Sequence, residues 1–534
     1  MRWLCGVAGR HVKVGALELP HLTRPPTPPT PHKCRCGVVD KLLCSIWHFL
    51  PKGSIVVLSE TIVRGLAQLN IYVSRIAQYS KHIHTAIVPT SVLIQSQVTT
   101  SFSFIVSHEF LSMKIIIVGA GLGGLGCAIA CRRQGFDVLV LDRVPEFLRI
   151  GDSIGFGSNS ARLLHRWGVG EQLERIAGHI QEIRIYNFDS SDNLLGLDDH
   201  IQTSKEKFGC RPIIGHRGDF HLILYNFAVS LGVDIRMNTP VVDYDVSKPS
   251  ITLDSGEEIA SDVVIIADGA RSKGRKTVLG YEDKPLHSGY AIYRSFMKAD
   301  TVRDDPLINK FFEGGDSVNL FLAPDMHGFV VTLRDGKEIN AVLTHKDTAD
   351  VQESWTKPGE KNDVLKLLEG WDPAVRRVWE KMETIVDWKL VYRPCLDKWV
   401  ADSGKIALMG DAAHPFLPTS AQGASQAIED GATIAKCLAN CNGDIALALH
   451  TYFEIRHDWV ADAQATGIKQ RETWHSMHSG DTKAFKESFD INAVALSNLH
   501  LWENDAEKVV DDRWEKVSAA VAKKLESGTT LKTM

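Results

Sequence analysis

The 534-residue chain has no long apolar run, no strong charge of either sign and no paired-cysteine framework. Each absence removes a class of protein. Hydrophobic stretches such as Ile115 to Val118 fall far short of the roughly 18 apolar residues a membrane span needs. Lysine and arginine number 60 against 65 aspartates and glutamates, a net charge of -5. That balance is too small a charge to argue for nucleic acid or an acidic membrane surface as partner. Of the ten cysteines, Cys34 and Cys36 form a C-x-C, but no second pair lies at zinc-site spacing, so no metal site is expected. Cys127 and Cys131 are four apart in a helical pattern and read as core. A reduced, cytoplasmic setting follows as the default. Internal repeats of about 20 to 50 residues are absent, which excludes solenoids and propellers.

Residues 1–112 differ from the rest. Pro20 to His32 (PHLTRPPTPPTPH) is too rich in proline for helix or central strand. The stretch up to Phe110 has no sustained hydrophobic period, and no secretory signal pattern is present. Its basic, acid-poor composition leaves a mitochondrial presequence as a minor reading. The preferred reading is a disordered extension, or translated sequence upstream of a start at Met113.

From Met113 the pattern sharpens. Lys114 to Val118 is a buried-strand run, a glycine turn follows, and a helix is predicted from Leu122 to Gln134. Gly135 ends that helix and Asp137 to Leu141 forms a second strand. Further strands are predicted at Glu182–Tyr186, Val233–Met237, Val241–Tyr244, Ser250–Leu253 and Val263–Ala267, with a helix at Gly218–Leu231. Residues 289–345 alternate in β fashion, with turns at Gly314-Gly315 and Asp335-Gly336. Gln422–Ala439 and the region from Ile445 read as helical.

The glycine turn is Gly119-x-Gly121-x-x-Gly124, set between a strand and a helix. The first glycine permits the turn, the second admits a pyrophosphate to the backbone, and the third lets helix and strand pack closely. The helix N-terminus offers free N–H groups to phosphate. Asp142 ends the second strand at about the 20-residue offset of an acid that accepts ribose hydroxyls. This fingerprint binds a dinucleotide and does not choose between FAD and NAD. Two more segments bear on that choice. Val263 to Ala267 runs into Asp268-Gly269, a good turn in its own right. Lys405 to Gly410 is a buried strand with Asp411 at its carboxyl end, where open α/β sheets bind ligands. The helix beginning near Gly423 and Ala424 turns its N–H groups to the same place, suited to the negative charge of a reduced flavin.

In these residues (GAGLGG at 119–124, DG at 268–269 and GDAAHPFLPTSAQGASQAIEDG at 410–431) the chain resembles the aromatic-hydroxylase family of FAD-dependent monooxygenases, most closely salicylate-hydroxylase-like members. The resemblance spans residues 113–445. It implies an α/β fold: a Rossmann-like FAD-binding domain at 113–288 and 391–445, an inserted mixed β-sheet substrate domain at 289–390, and C-terminal helices at 446–534. It implies FAD as cofactor, NADH or NADPH as transient electron donor, and a small aromatic substrate hydroxylated with molecular oxygen through a flavin C4a-hydroperoxide. The presence of a single fingerprint fits a nicotinamide donor without a domain of its own.

By the same resemblance Asp142 is the ribose acid and Gly155 lies near the flavin. Arg217 contacts FAD, Asp411 binds its ribityl or pyrophosphate side, and the backbone of Ala424 meets the ring. Two departures stand out: Ala421-Gln422-Gly423 replaces a G-x-G, and Val331-Thr332 precedes Leu333-Arg334 where a tyrosine is common. For chemistry on the substrate the candidates are Tyr293 and Arg294, the arginine pairing with a carboxylate or phenolate unless a local acid satisfies it. His216 is a further candidate, while His414 reads as structural in the flavin turn. Trp167 and Trp355 read as packing. Competing readings are an FAD-dependent epoxidase of an alkene or terpenoid, an NAD-dependent dehydrogenase, and a non-catalytic flavin-binding protein. A monomer or homodimer is expected.

Overall fold

The computed structural model describes residues 112–149, 151–192, 194–347, 357–476 and 499–527, together with the backbone of four short strands before them. Those four pair antiparallel, Trp3–Val7 with Arg10–Val14 and Val92–Ile94 with Phe104–Val106. They belong to a separate unit, Met1–Phe110, and Leu111–Met534 forms the other. Cys34, Cys36 and Trp355 lie outside the described residues.

The larger unit begins with β1 (Lys114–Val118), α1 (Leu122–Arg133) and β2 (Asp137–Leu141). Ile115, Ile116 and Ile117 are all buried, because a parallel strand is covered on both faces. Each such side chain contributes about 1.5–3 kcal/mol. A hairpin-like pair follows, β3 (Ser153–Phe156), which precedes helix α2 (Ser158–Trp167), later joined by its partner strand. Then come β4 (Glu182–Asn187), β5 (Leu194–Asp198), β6 (Ile213–His216), α3 (Arg217–Ser230) and β7 (Asp234–Arg236). After a three-stranded antiparallel meander over 241–260, β8 (Val263–Ile266) re-enters the parallel sheet. The remaining strands are β9 (Leu286–Lys298), β10 (Ser317–Ala323), β11 (Met326–Leu333), β12 (Glu338–Lys346), β13 (Lys357–Pro358), β14 (Val386–Tyr392) and β15 (Ile406–Leu408). Three helices close the chain: α4 (Gly423–Asn440), α5 (Ile445–Ser476) and α6 (Ala506–Glu526).

Two sheets organise these elements. The parallel sheet has the order β7-β2-β1-β8-β15. Its carboxyl edge therefore carries Gly119, Asp142, Asp268 and Asp411 side by side. The mixed sheet has the order β13-β14-β9-β12-β11-β10-β4-β5. In it β10 and β4 are parallel and the other pairs antiparallel. Its last two strands come from residues 182–198, inside the stretch expected to serve the first part of the FAD domain. The physical reason is their apolar period of two, in which Ile183 and Ile185 present one face to a shared cavity. Strand β14 (386–392) was not foreseen from sequence, and it completes the sheet beyond β9.

Helix α1 lies unusually close to α4. A Cβ on Gly123 would meet that of Ala427 at 2.8 Å, and one on Gly431 would meet the Cys127 backbone at 2.7 Å. Glycine on both helices thus brings the start of α4 against the dinucleotide turn.

Candidate functional site

The glycine turn is built as its spacing requires. Gly119 has φ +108°, and a Cβ there would sit 2.3 Å from the Ala267 carbonyl oxygen. A Cβ on Gly124 would sit 1.9 Å from the Gly119 oxygen. Gly121 is different: a Cβ there meets nothing within 4 Å, and no side chain caps the helix it begins. The start of α1 thus borders open space at the positive end of the helix, with the room and the polarity that a pyrophosphate would need. Asp142 braces this turn, accepting from Ala120 N at 2.7 Å and Val144 N at 2.9 Å. A carboxylate retains lone pairs for ribose hydroxyls after two such bonds.

The second and third segments are tied to the first. Ala267 N donates to the Val118 carbonyl, and Met409 N to that of Ile266. Arg275, buried, donates to the carbonyls of Ala270, Asp411 and Ala412, so it clamps the Asp-Gly turn to the Gly-Asp turn. Asp268 accepts from Lys273 N through Oδ2, while its Oδ1 is buried with no hydrogen-bond partner. Burial raises the Asp268 carboxyl above its ordinary range, against the hydrogen bonds it accepts. Burial likewise raises Asp411, opposed by His414, Arg217 and Arg275. Arg217 itself is exposed, yet the surrounding protein lowers its ordinarily very high pKa, with Asp152 and Asp411 pulling the other way. An exposed side chain so hemmed in faces a cleft.

Behind the turn lies a buried polar network. Asp430 accepts from Gly410 N at 2.9 Å, contacts His414 Nε2 at 2.6 Å, and receives Arg456 Nε at 2.9 Å. Arg456 also reaches Glu429 at 2.6 Å and Gln426 at 2.6 Å, and Glu429 receives Asn159 at 2.8 Å. His414, as the sequence indicated, is structural here. Lowered by His414 and Arg456 against its burial, Asp430 stays ionised. Gln422 Nε2, just before α4, is buried and unpartnered. Open space before α1, an orphaned acceptor on Asp268 and an orphaned donor on Gln422 fit a large polar cofactor along this edge. Gly423 and Ala424 begin α4, whose N-terminus turns to the same edge.

A cavity of about 190 Å³ adjoins this edge. Its floor is Gly155–Gly157 and Pro418–Ala421, and its walls include Ile183, Ile185, Ile292, Leu320, Phe329 and Trp474. No lysine or arginine lines it. Its polar lining residues are Asp198, Thr419 and, as neighbours across β11 and β12, His327 and Thr344. Thr344 Oγ1 is buried with no hydrogen-bond partner. Gly155 lies opposite Ile214 in the β3–β6 pair and so borders the cavity.

The geometry places the expected catalytic pair, Tyr293 and Arg294, outside the lining of this cavity. Successive residues of a strand point to opposite faces. Tyr293 packs away from the cavity, stacked on His345 at 4.7 Å within a core that includes Val364, Val378 and Trp379. Arg294 points to the other face but does not line the cavity. It donates to Asp152 at 3.2 Å and lies over Trp388 at 5.0 Å, so a local acid satisfies it. His216 caps α3 by accepting from Gly218 N and is spent there. Trp167 is core, its indole donating to Glu507. Sequence reasoning missed His327, Thr344, Trp474, Asp152, Arg275 and Arg456. A histidine inside an alternating strand carries no local signal of its role, and a buried arginine in a long polar helix carries none either.

Three segments converging on one sheet edge beside an apolar cavity define a flavoprotein that acts on a substrate held against its cofactor. Residues 112–465 match the family described as FAD binding domain. Asperlicin C monooxygenase of Petromyces alliaceus is 31% identical over 384 residues, covering 68% of this chain and 80% of that protein. The 3-hydroxybenzoate 6-hydroxylase of Klebsiella oxytoca is 33% identical over 351 residues, covering 64% and 84%. Among solved structures, CtdE in complex with FAD and a substrate is 27% identical with a TM-score of 0.68, covering 77% of this chain and 100% of that one. The chain belongs to the FAD binding domain family, and it is an FAD-dependent monooxygenase. No described helix is long and apolar enough to cross a membrane.

Proposed function

We propose that this monooxygenase hydroxylates a neutral aromatic ring bearing a hydroxyl group, with NADH or NADPH as electron donor. The observation behind the reading is the cavity itself: largely apolar walls, one acid (Asp198) and no lysine or arginine, with His327 and Thr344 as polar neighbours beside the flavin segments. A salicylate-like carboxylate would lose its hydration there without gaining a cation in return. A volume of about 190 Å³ accepts a substituted ring, since a dry cavity of about 150 Å³ holds benzene.

When bound, FAD accepts reducing equivalents from the nicotinamide and activates oxygen. The α1 N-terminus, Asp142, Arg217, Asp268, Asp411 and the backbone at Gly423 and Ala424 would hold it. Phe329, Trp474 and Trp502 exclude water from the reacting ring. With Nδ1 of His327 occupied by His475, its Nε2 remains to accept the substrate's hydroxyl proton. That makes the ring more electron-rich. Thr344 Oγ1 hydrogen-bonds the same substrate and orients it.

The second reading is epoxidation of an alkene or terpenoid, favoured by the same absence of a cation. NAD(P)H consumption and product mass, measured with neutral phenols and hydroxyquinolines, with benzoates, and with terpenoid alkenes, separate the cases. Neutral hydroxyarenes are expected to couple consumption to product. Coupling by benzoates alone would refute the proposal, and coupling by alkenes alone would replace it with epoxidation.

A further inference from the structure

The cavity is longer than one ring. Ile292, Thr344, Phe329, Leu320, Ile183 and Asp198 all line it, one each from β9, β12, β11, β10, β4 and β5. These six strands are consecutive neighbours in the mixed sheet. Their five spacings amount to about 24 Å. A ring seated at His327 and Thr344 covers about two of those spacings and does not reach the β4–β5 end.

The stretch between is apolar, but the far end is not. Asp198, the last residue of β5, stands opposite Ile183 on β4. It is 2% exposed and is the one acid among the described lining residues. Its Oδ1 accepts from His200 N at 2.9 Å and contacts Nδ1 of the same histidine. Those contacts set the start of the helix His200–Phe208. Among the described residues no donor reaches Oδ2, and no lysine or arginine pairs with the carboxylate. A carboxylate taken out of water needs a cation or donors on both oxygens. Here only one oxygen has them. A neutral serine or asparagine would serve the helix start as well, so that role accounts for neither the charge nor the second oxygen.

We propose that Asp198 is a specificity anchor at the end of the cavity, binding through Oδ2 a protonated amine carried by an elongated and otherwise apolar hydroxyarene. The anchor rests on the proposed function, in which the hydroxyl end of the same molecule meets His327 and Thr344. In the register of the sheet, Asp198 stands three spacings across from His327 and four residues along, about 19 Å away. The substrate thus carries its charge at one end and its reacting ring at the other, with an apolar body of about that length between them. An amine on a shorter arm would lie unpaired against Leu320 or Phe329, at the full cost of desolvation. A carboxylate at the far end would meet Asp198 and be repelled.

The test uses two matched pairs of probes in which a terminal methyl group replaces the ammonium group. The long pair is 4-(8-aminooctyl)phenol and 4-nonylphenol, and the short pair is 4-(3-aminopropyl)phenol and 4-butylphenol. Dissociation constants are read from the change in flavin absorbance of the FAD-loaded enzyme without a nicotinamide. In the wild type the preference for amine over alkyl is expected to be about tenfold or more greater in the long pair than in the short pair. Asp198→Asn is expected to lower the long-pair preference by about tenfold or more while the dissociation constant of 4-nonylphenol stays the same. Equal preferences in the two wild-type pairs would overturn the anchor without recourse to a variant, and so would an unchanged long-pair preference in Asp198→Asn. Turnover reads the proposed function separately. NAD(P)H consumption uncoupled from hydroxylated product with all four phenols would overturn that function, whatever the binding preferences show.

Discussion

The cofactor edge and the substrate cavity lie side by side but are made in opposite ways. The edge is built first on backbone, with close approaches at Gly119 and Gly124 and N–H groups at two helix starts, and only then on carboxylates spaced along one strand order. The cavity uses side chains gathered from β4, β9, β10, β11, β12 and the end of α5. A backbone seat tolerates almost no change, because the clashing atom is itself main chain. A side-chain wall can be altered piece by piece, and its failures are graded.

That difference can be broken or sharpened by substitution. The largest effect is expected for Arg456→Met, which leaves Glu429 and Asp430 buried without their cation. A loss of about 3–5 kcal/mol in denaturant unfolding is predicted, and a loss under about 1 kcal/mol would show that the network does not support the turn. Gly124→Ala places a Cβ 1.9 Å from the Gly119 oxygen. It should lower stability by about 1–3 kcal/mol and strip the flavin absorbance from the purified protein; a normal yellow protein would remove Gly124 from the seat. Asp411→Ala should weaken FAD binding by about tenfold or more, read by flavin fluorescence on dilution, with the fold intact.

On the cavity side the effects shrink. His475 has a pKa depressed from 6.5 to about 4. Below 6.5 the unfolded chain takes up a proton that the folded chain refuses, so stability falls between pH 6.5 and about 4. His475→Phe should flatten that part of the unfolding profile, and an unchanged slope would count against burial of a neutral His475. Thr344→Val should leave stability within about 1 kcal/mol, since the hydroxyl it removes is unpartnered. A raised KM for hydroxyarenes with kcat retained is expected, and an unchanged KM would take Thr344 out of substrate contact.

The same contrast explains what could be read in the sequence. That Gly119 to Gly124, Asp142, Asp268 and Asp411 share one sheet edge was legible because each sits at a strand end, where local order and spacing carry the pattern. The parallel strands and the helices after them were legible for the same reason. For Tyr293 and Arg294 the sequence could not say which side meets the cavity, because adjacency in a strand means opposite faces and only packing shows where each face looks. Which cation Asp152 would claim could not be read from its neighbours either. His327 and His475 are 148 residues apart in the chain, and nothing short of the fold brings them together.

Helix α5 joins the two regions in one rigid rod. Its middle holds Arg456 under the cofactor turn, and its end carries Trp474 and His475 to the cavity, roughly 28 Å further along at the rise of an α-helix. The final turns are thus free to diverge while the middle is held fixed. Exchanging residues 471–476, beyond the turn that packs on Ser420, for those of a relative should transplant ring preference and leave the affinity for FAD where it was.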